Sequence, residues 1–476
     1  MQTYNMIING QPVAAAKTFG VINPATEEIF AQVPAGDASH VDAAVKAARA
    51  AFPAWAATPD SERQAKIVAI AGLLEAHMPE LMELVTLETG KPLGGLNGVG
   101  AGMEVGGAIA WTQVTAGLTL PVEVIQDNDD ARIEVHRKPL GVVGSITPWN
   151  WPLMIAIWHI MPALRSGNTV VIKPSEMTPV ATLRFVELAN TVLPPGVLNI
   201  VSGERNSDVG AAITRHPDIN KIVFTGSTPT GKKIMGNAAD NLKRLTLELG
   251  GNDAGIVLPD INPKEVAAKL FGVAFHNNGQ TCACLKRLYV HESIYEAVCA
   301  ELAAIAKATI VGNGKNADSQ LGPLQNAAQL NIVKTLAEDA RAKGARFLSG
   351  GKQIPGKGYF YEPTIVADVT NGMRLVDEEQ FGPILPVIKY KDLDEAVRLA
   401  NDNPNGLGGS VWAKDTAKAA AIGLRLECGT AWVNEHGAIQ PDAPFGGVKQ
   451  SGLGVEFGHY GLEEYTSIQT LKIMKH

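Results

Sequence analysis

Between residues 141 and 249 the chain alternates short Val- and Ile-rich runs with amphipathic stretches, and few folds accommodate that rhythm. Apolar runs at 142–147, 169–173, 197–201, 221–225 and 244–249 read as strands. The intervening stretches 153–164, 179–192, 207–214 and 229–237 read as helices. A strand–helix–strand repeat predicts a parallel sheet with right-handed crossovers. Ligands of such sheets lie beyond the carboxyl ends of the strands. The segments after Ile146, Ile172 and Phe224 are therefore where a nucleotide is expected.

A second α/β series follows Gly250, with a helix ending near His276 and strands at 286–291, 385–390 and 429–434. A Gly- and Pro-rich run spans 444–454. At 476 residues the chain exceeds one ordinary core, so two or three domains are expected. The first third reads as helical: Asp37 or Ser39 caps a helix with Val41, Ala44, Val45, Ala48 and Phe52 on one face. Helices at 62–75 and 79–88 follow, the last stopped by Gly90. Residues 122–125 and 133–136 read as a hairpin turning at 127–130. Its exposed edge needs cover. The alternating tail, 467–473, is a candidate, expected to pair across a subunit boundary, the alternative being a solvated hairpin.

Composition excludes some functions. A net charge of −7 without a Lys/Arg run argues against nucleic acid. Residues 1–11 lack the pattern of a secretory leader, and the apolar run 152–164 is too short for a bilayer, so no membrane association is expected. Four cysteines in so long a chain form no disulfide framework, which points to the cytoplasm.

Several segments carry chemistry-bearing residues. The stretch Phe275–His276–Asn277–Asn278–Gly279–Gln280–Thr281–Cys282–Ala283–Cys284 turns the backbone at the end of a helical pattern and presents Cys282, a nucleophile or a small packing residue. His276 and the two cysteines have irregular spacing for a metal, and no metal site is expected. Thr147–Pro148–Trp149–Asn150–Trp151–Pro152 is a rigid turn fixing the Asn150 amide as a donor to an oxyanion, or simply a packed turn. Glu248 ends a nearly apolar strand, where burial would raise its pKa toward that of a general base, unless it faces solvent. Lys173 and Glu176 end another strand and suit ribose hydroxyls, Glu176 favouring NAD over NADP. Gly226 and Ser227 precede a helix whose free amides suit a phosphate. Glu379 and Phe381 share a turn that could hold a ribose and a nicotinamide face.

Together these segments resemble the aldehyde dehydrogenase family over essentially the whole chain. The motifs appear in order as T-P-W-N-W-P, K-P-S-E, F-T-G-S-T, E-L-G-G, N-x-G-Q-x-C, E-x-F-G-P and P-F-G-G-x-K-x-S-G-x-G. The resemblance implies an α/β fold with a Rossmann-like cofactor domain (1–118 and 139–248), a catalytic α/β domain (249–450) and a small β oligomerisation segment (119–138 and 451–476). It implies Cys282 as nucleophile, Asn150 and the Cys282 amide as oxyanion hole, and Glu248 as the base for water. NAD, or NADP, would be held by Thr147, Pro148, Trp149, Lys173, Glu176, Gly226, Ser227, Leu249, Glu379 and Phe381. Glu456 matches a second acidic position with a proton-relay role. A homodimer or homotetramer is implied.

The implied reaction is oxidation of a small-molecule aldehyde to its acid through a thioester, and Trp151, Trp158 and Ile439 as tunnel walls suggest a medium-chain aliphatic or aromatic substrate. Two rivals stand beside it: a coenzyme A-acylating enzyme, which Glu248 argues against, and a non-catalytic protein on the same fold. Oxidation could also join Cys284 to Cys282, with plain packing of Cys284 as the alternative.

Overall fold

The computed structural model describes residues 2–475. Met1 and His476, the outer ends of two of the expected segments, lie outside the described residues. Among those residues, one sheet runs in the order Gly452–Leu453, Arg244–Glu248, Lys221–Thr225, Val142–Ile146, Thr169–Lys173, Leu198–Ile200, Met6–Ile8, Gln11–Val13. The five central strands are parallel. Strand order reverses between Val142–Ile146 and Lys221–Thr225, which opens the ligand crevice of a doubly wound sheet. Their Val and Ile runs are continuous because both faces are covered. Val41, Ala44, Val45 and Ala48 of the helix Ala38–Ala57 pack with Val142 and Ile222 on one side. Residues of Pro152–Arg165 and Val180–Ala189 pack with Val143 and Val170 on the other.

The second sheet runs Arg346–Ser349, Thr364–Ala367, Ile384–Tyr390, Leu285–His291, Asp253–Val257, Gly408–Trp412, Thr430–Val433, with only Arg346–Ser349 antiparallel to its neighbour. Residues 249–252 lead from one sheet into the other, so the strand end at Glu248 faces the second layer.

The helical reading of the first third fails over the first 34 residues, where Met6–Ile8, Gln11–Val13, Thr18–Asn23 and Glu28–Pro34 are strands. The cause is local: Asn9 (φ 53°) and Gly10 (φ 72°) take the left-handed conformation that suits a tight hairpin between Met6–Ile8 and Gln11–Val13. The helix Ala101–Gly117 went unread because its glycines depress helix propensity. Tertiary contact overrides that: Gly107 lets Met154 of the neighbouring helix approach closely, with Sδ 2.7 Å from where a Cβ would stand.

The hairpin Glu123–Asp127 and Ala131–Pro139 forms as read, its turn closed by Asn128 Oδ1 accepting from the Asp130 and Ala131 amides. The tail strand Thr466–Met474 covers it within the same chain, in register from Thr466 opposite Pro139 to Met474 opposite Ala131. The hairpin and the tail therefore form one three-stranded sheet within the chain, with Glu123–Asp127 at one edge and the tail at the other. Gly452–Leu453, also within the segment 451–476, is a strand of the first sheet.

Candidate active site

The cysteine loop owes its shape to three successive left-handed residues, Asn277 (φ 49°), Asn278 (φ 58°) and Gly279 (φ 72°). Asparagine tolerates this conformation better than other side chains because it can bond locally. Asn277 Nδ2 donates to the carbonyls of Asn150 (3.0 Å) and Gln280 (3.1 Å), and Asn278 Nδ2 to that of Gly322 (3.0 Å). Glycine is required at 279, where a Cβ would stand 2.3 Å from the Gly382 carbonyl oxygen. The loop delivers a half-buried Cys282 to the cleft. Burial pushes its thiol up to about 12, with Lys286 the leading group that opposes the rise.

Asn150 arrives from the first sheet. Its Nδ2 donates to the Gln280 carbonyl at 3.0 Å, two residues before Cys282, and its own carbonyl accepts from Lys91 Nζ at 3.0 Å. Lys91 is ion-paired with Glu104, and both side chains are fully buried. Glu104 also accepts from the Leu153 (3.0 Å) and Met154 (3.4 Å) amides, so one buried pair holds the Asn150 turn and caps the helix after it. Sequence reading missed Lys91 and Glu104, because nothing in their spacing reveals a partner 59 or 49 residues away.

Glu248 is 4% exposed, and neither carboxylate oxygen accepts a hydrogen bond from the protein. Burial, and then the charge of Glu456, raises its pKa well above the usual carboxylate range. This excludes the solvent-facing alternative. Glu456 is buried too, with Oε1 3.3 Å from His159 Nε2, a close contact without hydrogen-bond geometry. His159 is fixed by Ser145 Oγ (2.9 Å) and Thr225 Oγ1 (3.0 Å), a connection the sequence did not show.

One cleft brings together Cys282, Asn150, Pro148, Trp149, Gly226, Ser227, Leu249, Glu379 and Phe381, all named from sequence, with Thr225, Gly250, Gln329 and Ile332 besides. Trp149 and Phe381 meet edge to face at 5.3 Å. The Gly226 amide is not free for a phosphate, because it donates to the Glu248 carbonyl at 2.9 Å. Any phosphate contact falls instead to the amides that begin the helix Thr228–Asn237. Thr147 is buried outside the cleft lining, its amide bonded to the Lys173 carbonyl at 3.1 Å. Lys173 Nζ lies 3.9 Å from Glu176, and Glu176 opens onto a neighbouring hollow that also holds Met177 and Arg205.

On the other side of Cys282 lies an aromatic cluster containing Trp151, Trp158 and, at its margin, Ile439. Trp111, Phe445 and Phe457 belong to it as well, with Trp158 and Phe457 4.8 Å apart and Trp111 5.6 Å from Trp158. Trp151 is pinned, its indole donating to Thr281 Oγ1 at 3.1 Å and its ring covered by Lys91 Nζ at 3.4 Å. Cys284 is turned away, its thiol facing the carbonyls of Val273 (3.2 Å) and Ala274 (3.1 Å), which favours packing over a link to Cys282. His276 stays neutral, since burial pulls its pKa down to about 4. Among the described residues no group of His, Cys, Asp and Glu is arranged to hold a metal ion.

A switch-point crevice of this kind is where doubly wound α/β folds bind their ligands, dinucleotides among them. The aldehyde dehydrogenase family model matches residues 12–471, and the chain belongs to that family. Phenylacetaldehyde dehydrogenase of Pseudomonas fluorescens is 41% identical over 490 aligned positions, covering 99% of this chain and 96% of the relative. Aldehyde dehydrogenase 1A1 of Oryctolagus cuniculus is 38% identical, covering 96% and 93%. The solved NAD+ complex of an aldehyde dehydrogenase from Bacillus cereus superposes with a TM-score of 0.96 at 37% identity, covering 99% of this chain and 96% of the other. The protein is an oxidoreductase that acts on the aldehyde group.

Proposed function

We propose that this enzyme oxidises an apolar aldehyde, medium-chain aliphatic or aromatic, to the carboxylic acid, and that water rather than coenzyme A takes the acyl group from Cys282. The observation that carries this reading is Glu248, a buried carboxylate with no protein partner beside the cysteine cleft. A free carboxylate at that depth costs stability. Activating a water molecule is a use that repays it.

The residues present suit NAD. Glu379 and Phe381 fit the nicotinamide riboside, Lys173 and Glu176 the adenosine ribose, and the start of Thr228–Asn237 the pyrophosphate. Thr147, though outside the lining, supports the turn that bears Pro148 and Trp149. The bound nicotinamide supplies the hydride acceptor. The chain's own part begins with the Cys282 thiolate attacking the aldehyde carbon. Asn150 Nδ2 and the Cys282 amide then hold the oxygen as it becomes negative. Loss of hydride leaves a thioester on Cys282, since thiolate both attacks and departs well. Glu248 takes a proton from water, which attacks the thioester and releases the acid and the thiolate. The proton on Glu248 has Glu456 and His159 as its next neighbours inward.

Incubation with NAD and phenylacetaldehyde, without coenzyme A, is expected to give NADH and phenylacetate in equal amounts. Along a series of unbranched aldehydes kcat/KM is expected to climb about fourfold per added methylene until the chamber is filled, from about 0.8 kcal/mol per buried methylene. Absence of acid across that panel overturns the hydrolytic reading.

Because burial and Glu456 raise the Glu248 pKa, kcat is expected to fall on acidification well above the ordinary carboxylate range. The base works only when deprotonated, so this limb rises with pH. Glu456→Gln removes a repelling charge and is expected to move the limb to lower pH, read from kcat–pH profiles of both proteins. An unmoved limb means Glu456 does not act on Glu248.

For assembly, exposed Val124 and Ile125 on the outer hairpin strand and Ile468, Leu471 and Ile473 on the tail support a homodimer or homotetramer through this small sheet. The proposed domains, 1–118 with 139–248, 249–450, and 119–138 with 451–476, are supported by three separate sheets, although Ala131–Pro139 runs across one boundary and Gly452–Leu453 joins the first sheet. Four free cysteines support a reducing, cytoplasmic setting. No helix among the described residues is long and apolar enough to cross a membrane.

A further inference from the structure

A buried ammonium group connects the thiol side of the cleft to the cofactor side. Lys286 lies near the start of the strand Leu285–His291, four residues after Cys282, and its side chain is 3% exposed. Its Nζ donates to the Cys282 carbonyl oxygen and stands 2.9 Å from Glu379 Oε1. The same Oε1 accepts from the Gly251 amide at 3.1 Å. Oε2 is left over the wall of the cleft, where a Cβ on Gly250 would come within 2.5 Å of it. The Phe381 ring centre is 5.6 Å from the ammonium.

We propose that Lys286 is a positioning residue for both halves of the reaction: it fixes Glu379 toward the nicotinamide ribose and, held on the Cys282 carbonyl, places a positive charge beside that residue. The proposal rests on the roles given above to Cys282 and Glu379.

The two oxygens of Glu379 divide their work. Oε1 is occupied by Lys286 and the Gly251 amide, so the carboxylate plane is fixed and Oε2 stays available to ribose hydroxyls. Burial pushes the Glu379 carboxyl up, and Lys286 is the leading group that opposes the rise. Burial likewise opposes charge on Lys286, yet Glu379 and Asp253 hold its pKa above the usual lysine range. At the thiol the charged surroundings are Lys286, Glu248 and Asp253, and Lys286 alone favours the anion. The nearby His276 does not substitute, because it is neutral. A neutral side chain at 286 would bring no charge, even where it could reach the Cys282 carbonyl. A lysine there does both.

The test uses the cofactor-free protein. Alkylation of Cys282 by iodoacetamide, followed by peptide mapping, is measured against pH for wild type, Lys286→Met, Lys286→Gln and Lys286→Arg. NAD affinity is measured separately by equilibrium titration, and circular dichroism confirms folding. Both neutral variants are expected to alkylate roughly tenfold more slowly at a given pH, as a thiol pKa raised by about one unit requires. Both are also expected to bind NAD roughly tenfold more weakly, for the loss of a charge-assisted bond. Lys286→Arg is expected to restore the alkylation rate to within about threefold, because the charge is kept. Folded neutral variants with unchanged alkylation and unchanged NAD affinity overturn the proposal, even if their turnover falls. An active Cys282→Ser protein would instead overturn the nucleophile assignment, leaving the NAD result for Lys286 to stand or fall by itself.

Discussion

Cys282→Ser is expected to yield a folded protein that binds NAD and forms no measurable NADH from any aldehyde. Hydride leaves an aldehyde carbon only after a nucleophile has made it tetrahedral, and Cys282 is the thiol in the cleft with Asn150, within reach of the charge of Glu248. Serine keeps the shape but not the acidity or the leaving ability. The expected loss in kcat is at least about 10⁴-fold, in line with removal of a catalytic nucleophile elsewhere. Stability should hardly change, since the side chain is half-buried and the loop is held by Asn277, Asn278 and Gln280. Stopped-flow absorbance at the NADH band, with NAD titration as control, measures both. Turnover within tenfold of wild type would move the chemistry away from Cys282.

Glu248→Gln is expected to divide the reaction into a fast and a slow part. Thiolate attack and hydride loss use Cys282 and Asn150, so one NADH per active subunit should appear in a burst. Thioester hydrolysis then lacks its base, and steady turnover should fall by about 10²- to 10⁴-fold. Glutamine matches glutamate in shape, and the native carboxylate has no protein hydrogen bond to lose. Folding stability is therefore expected to stay level or rise, because an unpaired buried carboxyl group is costly. The burst should also be no slower than in wild type, since Glu248 is one of the charges that oppose the Cys282 thiolate. A proportional loss of burst and steady state would instead give Glu248 a role before hydride loss.

The parts of this protein that repeat a local pattern were legible from residues alone. Lys221–Thr225 and Thr169–Lys173 coincide with their sequence readings, because an apolar run bounded by turn residues marks both ends of a buried strand. The Asn150 turn and the Cys282 loop were legible as stiff or left-handed segments at strand and helix ends. The helix Ala101–Gly117 was not, for it carries several glycines, and the use of Gly107 shows only in the approach of Met154 from the helix packed against it. Lys91, Glu104, His159 and Lys286 were equally silent. Each is a single polar residue whose meaning depends on partners brought close by the fold: Asn150, Leu153, Thr225 and Glu379. Motif reading also erred in detail at Gly226, where the amide expected to face a phosphate is spent within the sheet. The aromatic chamber was half visible, with Trp151 and Trp158 named but Trp111 and Phe457 contributed by distant segments.

The most direct test of a covalent route through Cys282 is the mass of the Glu248→Gln protein quenched during turnover with NAD and phenylacetaldehyde. The expected result is one acyl group per subunit, the mass of the aldehyde less two hydrogens, mapped to the peptide that carries Cys282 and released by hydroxylamine. An unmodified Cys282 peptide during the NADH burst, or an acyl group on any other residue, would contradict it.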